Sequence, residues 1–318
     1  MEVEGLKTYF STLRGDVKAV DGISFELGES EAMGLAGESG CGKTTCALSL
    51  LKILPPNGKI VGGKVLFDGK DLVKFTDDEM RKRVRWKGIS LVFQGAMNAF
   101  TPVYSVGYQI AEAILENERH VGKREAWKRS MELLELVGIE PSRCKQYPHE
   151  YSGGMKQRAM IAMALASNPR ILIADEPGTA LDVIVQAQVL RLIKRLRKQL
   201  KLSMIMISHD LSVIAETCDF ISIMYAGKIV ECGDVLTTFK DPLHPYTKSL
   251  IEAFPNITKA KRRLSSIPGY PPDLLAPPTG CRFHPRCSYA TDLCRKEEPL
   301  PLNVSRRRSV ACHFAATN

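Results

Sequence analysis

The sequence predicts an α/β chain built on a parallel sheet, with an antiparallel β region near its N-terminus, a helical insertion, and a Pro- and Cys-rich C-terminal extension. Three observations carry this. Short apolar runs alternate with helical patterns along most of the chain, the signature of helices layered on a parallel sheet. Between about Pro102 and Tyr151 the strand signals give way to helical spacing. Eleven of the 18 prolines lie from Pro242 onward, which excludes long helices after about Phe254.

Taken in order, "AVDGISFEL" alternates apolar and polar residues as an antiparallel strand does. "EAMGLAG" reads as a buried strand and "TTCALSLLKIL" as the helix after it. "GGKVLFDGKDL" is a hairpin with Asp68-Gly69 in its turn. "ISLVFQ", "ILIADE" and "MIMISH" are further buried strands. "VGYQIAEAILENE" and "KREAWKRSMELLELVG" are helices of the insertion. "FISIMYAGKIVECG" returns to strands, turning at Ala226-Gly227. The tail beyond has little helix or strand pattern of its own.

The 318 residues suffice for a sizeable core and two domains. A hydrophobic fraction of 44% with 25% charged residues is that of a soluble globular protein. No apolar run reaches the roughly 18 residues of a membrane span, and "MEVEGLKTYF" lacks the layout of a signal peptide. A cytoplasmic protein is expected. The net charge of +9 invites a nucleic-acid reading, but its placement argues against one. From Thr258 onward there are eleven Lys or Arg against four Asp or Glu, so most of the excess sits in the tail rather than in a groove. Such a tail is either simply solvated or placed near membrane phosphates or another polyanion.

Gly37-Glu38-Ser39-Gly40-Cys41-Gly42-Lys43-Thr44 fits the phosphate-binding pattern G-x-x-x-x-G-K-[ST], between a predicted strand and a predicted helix. Its glycines let successive N–H groups turn inward to phosphate oxygens, and the helix N-terminus adds positive potential. Lys43 would reach the β- and γ-phosphates, with Thr44 on Mg²⁺ and Thr45 beside it. "ILIADEP" delivers Asp175 and Glu176 at the C-terminal end of a buried strand, where open α/β sheets bind ligands. Asp175 suits the metal and Glu176 suits the general base for an attacking water. In "YSGGMKQR", Ser152 caps a helix that opens with Gly153 and Gly154, a second anion site. One chain's nucleotide cannot occupy both sites, which points to a head-to-tail dimer.

Together these motifs resemble the nucleotide-binding subunit of an ATP-binding-cassette transporter, in that family's order, over residues 1–235. The resemblance implies a RecA-like P-loop ATPase core, with a helical subdomain at about 96–155 and an extension at 236–318. It implies that Gln94 in "LVFQG" touches Mg²⁺ and the membrane subunits. It implies that Ala180-Leu181-Asp182 speaks across the dimer and that His209 contacts the γ-phosphate. Phe10, rather than Tyr9, would stack on adenine. Three positions depart from the pattern: Tyr151 stands where Leu is commoner, Gly178 for Thr, and Gly95 for an acid. None is a phosphate or Mg²⁺ group, so the site is not read as dead, and the two glycines would loosen their loops.

"DPLHPYTKSLIEAFP" and "GCRFHPRCSYATDLCRKEEPLPLN" resemble the C-terminal extension of dipeptide and oligopeptide permease ATPases, with His244-Pro245-Tyr246 as hallmark. That implies ATP hydrolysis driving peptide import at the cytoplasmic face of the membrane. The partners would be a second cassette (self or paralogue), two integral membrane permease subunits and, indirectly, an extracytoplasmic solute-binding protein. Oligosaccharide or nickel import by the same machine is the nearest alternative. A soluble cassette acting on nucleic acid or ribosomes is the alternative of another class. Cys281, Cys287, Cys294 and Cys312 contain no C-x-x-C, so a zinc ribbon is disfavoured. Four thiolates amid many arginines suit a 4Fe–4S cluster. Zinc with His284 or His313, and unliganded or disulfide-bonded cysteines, are the alternatives.

Overall fold

A computed structural model describes residues 1–95, 99–253 and 267–315. The chain divides into two compact units. One comprises Met1–Leu27, Ala32–Lys74 and Ile207–Asn318; the other comprises Gly28–Glu31 and Phe75–Met206.

The first unit contains an antiparallel sheet in the order Gly15–Glu26, Glu2–Thr12, Gly58–Phe67, Lys70–Asp71. Ile23 and Phe25 are buried between exposed Gly22, Ser24 and Glu26, as the alternation predicts, and Leu6 and Val20 join them in the core. Asp68 (φ 52°) and Gly69 (φ 72°) form the predicted turn, whose two left-handed residues suit a tight hairpin. The same unit holds the strands Leu302–Ser305, Arg308–Val310, Lys228–Asp234, Phe220–Tyr225 and Ala32–Ala36, side by side in that order. Ala32–Ala36 runs parallel to Phe220–Tyr225, with Met33 opposite Phe220. The turn falls at Ala226-Gly227 as predicted (φ 47° and 82°).

The hairpin Leu302–Val310 corrects the sequence reading, which gave the tail little strand pattern. Its first strand is exposed along its whole length, so no apolar alternation marks it. Backbone pairing onto the neighbouring strand, with Val310 opposite Glu231, holds it instead. The described tail also holds the helices Val235–Lys240, Pro245–Glu252 and Asp292–Lys296 and one 3₁₀ turn, none of the helices longer than eight residues. The expected helix boundary at Phe254 lies outside the described residues.

In the second unit, Ile89–Val92 and Ile171–Asp175 pair in parallel. The unit boundary falls within a third strand, Ser203–Ser208. The helical insertion supplies Val106–Asn117 and Lys123–Leu136, followed by 3₁₀ turns at Pro141–Lys145 and Pro148–Glu150. Ser105 caps the first helix through the Tyr108 N–H. Ala126, Ser130 and Leu134, one helical turn apart, form the buried stripe of the second. Residues 96–98, where the insertion was expected to begin, lie outside the described residues. Among the described residues no helix is long and apolar enough to cross a membrane.

Candidate nucleotide site

The phosphate-binding loop leaves the fully buried strand Ala32–Ala36 and enters the helix Lys43–Leu51. Two of its glycines are obligatory. Gly37 (φ 149°) and Gly42 (φ 106°) have left-handed backbones, and a Cβ on either would lie 2.1 Å from a carbonyl oxygen, that of Met224 or Ala19. Lys43 is only 6% exposed. Its Nζ donates to the carbonyls of Gly37 (2.8 Å) and Glu38 (2.9 Å), which keeps the ammonium inside the loop. Ser39, Gly40 and Thr44 face solvent, Thr45 is half-buried, and the buried Cys41 packs beneath, its thiol pKa pushed up by burial. The loop and its lysine thus lie within one unit.

In the other unit, Ile171–Asp175 carries Asp175 buried at its last position. Glu176 follows with a left-handed backbone, φ 46°, strain of the kind folds retain at functional positions. Its carboxylate accepts from Gln94 Nε2 (2.9 Å) and Thr179 Oγ1 (3.0 Å). The structure thus joins Gln94 to Glu176 directly. Thr179 was not anticipated, because no motif logic flagged it.

Ser152 caps the helix Gly153–Ala164 through the Met155 N–H (3.4 Å), as expected. Gly154 has a second reason to be glycine: a Cβ would lie 2.5 Å from Val185 Cγ1 on the helix Val183–Leu200. Asp182 caps that helix through the Val185 N–H (2.9 Å). Tyr151 is accommodated because its ring is buried and its hydroxyl donates to the Arg143 carbonyl (3.0 Å). Of the two unexpected glycines, Gly95 (φ 75°) does adopt a backbone that favours glycine. Gly178 lies close to a neighbouring side chain, where a Cβ would meet Gln186 Cγ at 2.6 Å.

Back in the first unit, His209 is exposed just after the strand Ser203–Ser208. Tyr9 and Phe10 are told apart by their neighbours. The Tyr9 hydroxyl donates to Asp21 Oδ1 (2.7 Å), and burial followed by that bond pushes its pKa up to about 12. Asp21 is also paired with Arg282 and Lys228, so Tyr9 is committed to an ionic network. Phe10 remains half-buried, its ring edge beside Gly58.

Cys281, Cys287, Cys294 and Cys312 line one small cavity, together with His244, His284 and His313. Burial pushes the Cys281 thiol up to about 11, and the other three cysteines reinforce the shift. Among the described residues, no group of three or more His, Cys, Asp or Glu is spaced to hold a single metal ion.

Two family models match the chain: "ABC transporter" over residues 20–179, and "Oligopeptide/dipeptide transporter, C-terminal region" over residues 230–294. The chain is 46% identical over 309 residues to the oligopeptide transport ATP-binding protein OppD of Bacillus subtilis, covering 96% of this chain and 86% of that protein. It is 41% identical over 318 residues to the dipeptide transport ATP-binding protein DppD of Escherichia coli, covering 99% and 96%. A dimeric post-hydrolysis structure of the ATP-binding cassette MJ0796 bound to ADP and Pi is similar with a TM-score of 0.65 and 25% identity, over 74% of this chain and 98% of that one.

Proposed function

This chain belongs to the ABC transporter family, is an ATPase of the cassette type, and from that premise we propose that it powers a membrane importer of dipeptides or oligopeptides. The observation that carries the peptide reading is the match of residues 230–294 to the C-terminal region of oligopeptide and dipeptide transporters. The chain would sit at the cytoplasmic face of the membrane on two integral permease subunits, paired head-to-tail with a second cassette and fed by an extracytoplasmic solute-binding protein. Reconstituted into vesicles with those subunits and the binding protein, it should hydrolyse ATP several-fold faster when a di- or oligopeptide is added. Stimulation by an oligosaccharide or nickel instead, or by nucleic acid without any membrane partner, would overturn the peptide reading.

The residues fit ATP and Mg²⁺. Lys43 and the inward N–H groups of the loop bind phosphate oxygens, and Phe10 offers an aromatic face for adenine. Thr44, Asp175 and Gln94 would hold Mg²⁺, which neutralises phosphate charge when bound. Glu176 accepts the proton of the attacking water, and His209 supplies a donor toward the γ-phosphate.

Four cysteines and three histidines line the cysteine cavity, a donor set that would suit an iron–sulfur cluster, with zinc as the alternative. Among the described residues no group of three or more His, Cys, Asp or Glu is spaced to hold a metal ion. The cavity holds about 10 Å³, so a cluster would part the side chains that now close it. An orphaned donor supports the fit. His244 is fully buried, and burial lowers its pKa to about 3, so the ring is neutral. Its Nδ1 accepts from the Tyr246 N–H (3.0 Å), which leaves the proton on Nε2, an atom with no hydrogen-bond partner. A cluster sulfur is a natural acceptor for it. Protein purified without oxygen should be brown and contain iron. Cys294→Ser should bleach it while ATP binding survives, and iron-free protein with an ordered, protease-resistant tail would defeat the cluster.

A further inference from the structure

The phosphate-binding loop contains a carboxylate, and the C-terminal segment covers it. Arg286 forms a two-pronged pair with Glu38, Nη1 to Oε2 at 2.6 Å and Nη2 to Oε1 at 3.0 Å. The guanidinium is itself fixed. Its Nε donates to the Pro268 carbonyl (2.7 Å), Nη1 donates to the Tyr225 hydroxyl (3.3 Å), and it lies 5.7 Å from the Tyr225 ring centroid. The Arg286 side chain is 5% exposed and that of Glu38 is 25% exposed. The Glu38 N–H donates to the hydroxyl of Tyr246 (2.9 Å), a residue with no exposed surface. Both the amide and the carboxylate of Glu38 are thus taken by residues more than 200 positions later in the chain, within the same compact unit.

The chemistry of the loop gives this a purpose. A nucleotide triphosphate brings several negative charges against the N–H groups of Gly37–Thr44. A bare carboxylate in that loop would repel them, at a separation where charges interact strongly in a partly buried site. A forked, pinned guanidinium cancels the charge and also fixes where the carboxylate lies. Tyr246 accepts from the Glu38 amide and so fixes that part of the loop backbone. We infer that Arg286 and Tyr246 are positioning residues of the nucleotide site: Arg286 neutralises and anchors Glu38, Tyr246 holds its amide, and nucleotide affinity thereby depends on the C-terminal segment.

The inference rests on the nucleotide site alone and stands whatever solute the importer carries. The test is ATP displacement of trinitrophenyl-ATP from the full-length chain, with thermal unfolding measured on each variant. Arg286→Met should weaken ATP binding about tenfold, the scale of one lost charge-assisted pair. Adding Glu38→Gln removes the carboxylate that Arg286→Met leaves bare, and should recover at least about threefold of that loss. A purely structural role for Arg286 predicts no such recovery. Tyr246→Phe, which deletes one oxygen, should weaken binding by at least about threefold. Lys43→Ala serves as the control without binding. The inference is overturned if Arg286→Met binds ATP as the parent does, or if the double variant binds no tighter than Arg286→Met. Should Arg286→Met not fold, Tyr246→Phe decides alone, and parental affinity in it overturns the inference.

Discussion

Glu176→Gln should leave ATP binding intact and lower turnover by at least about 10²-fold, the usual scale for removing a general base. The expectation follows from how the carboxylate is held. A fully buried strand brings Asp175 to the sheet's edge, and the next residue turns sharply with φ 46°. Its side chain is then aimed by two donors, Gln94 Nε2 and Thr179 Oγ1, which both reach Oε2. Glutamine keeps the shape and the Thr179 contact but cannot accept a proton, so binding and chemistry should separate. Single-turnover ATP hydrolysis, measured beside equilibrium binding, reads both. Turnover near that of the parent would sink the assignment of Glu176.

A Ser39→Cys, Gly153→Cys variant, in a background without other reactive thiols, should crosslink between two chains, and only when ATP is present. Ser39 lies exposed in the phosphate-binding loop, and Gly153 opens a helix whose N-terminus can bind an anion. In the head-to-tail pairing proposed above, one nucleotide lies between the loop of one chain and the Ser152-Gly153-Gly154 turn of the other. The effect is all or none on a denaturing gel: a band of twice the mass with ATP, and none without. A crosslink that forms within one chain would defeat the shared site. Each single variant should give no ATP-dependent band.

The parts of the fold that were legible in the sequence are those with strong local chemistry. Buried strands read as continuous apolar runs because both their faces are covered, and four were placed correctly from that pattern alone. Asp68-Gly69 and Ala226-Gly227 marked their turns because few residue pairs accept two left-handed backbones. The phosphate-binding loop was legible for the same reason. The hairpin Leu302–Val310 was not, because backbone pairing stabilises it and its first strand buries nothing. The grip of Arg286 and Tyr246 on Glu38 was equally invisible. An ion pair across 248 positions leaves no local pattern, and the hallmark His244-Pro245-Tyr246 carried a family resemblance but no geometry. The close approach of the Gln186 side chain to Gly178 was likewise unmarked in the sequence.

The way the first unit is threaded dictates when it can form during synthesis. Ala32–Ala36, which presents the phosphate-binding loop, pairs with Phe220–Tyr225, so that strand waits for a neighbour nearly 190 residues away. At about 5–20 residues per second, the interval is roughly 10–40 s. The second unit's long segment, Phe75–Met206, is made in full during that wait. Arg286 emerges later still. A ribosome-bound chain therefore carries the complete helix Gly153–Ala164 well before the strand Phe220–Tyr225 that pairs beside the one presenting its phosphate-binding loop.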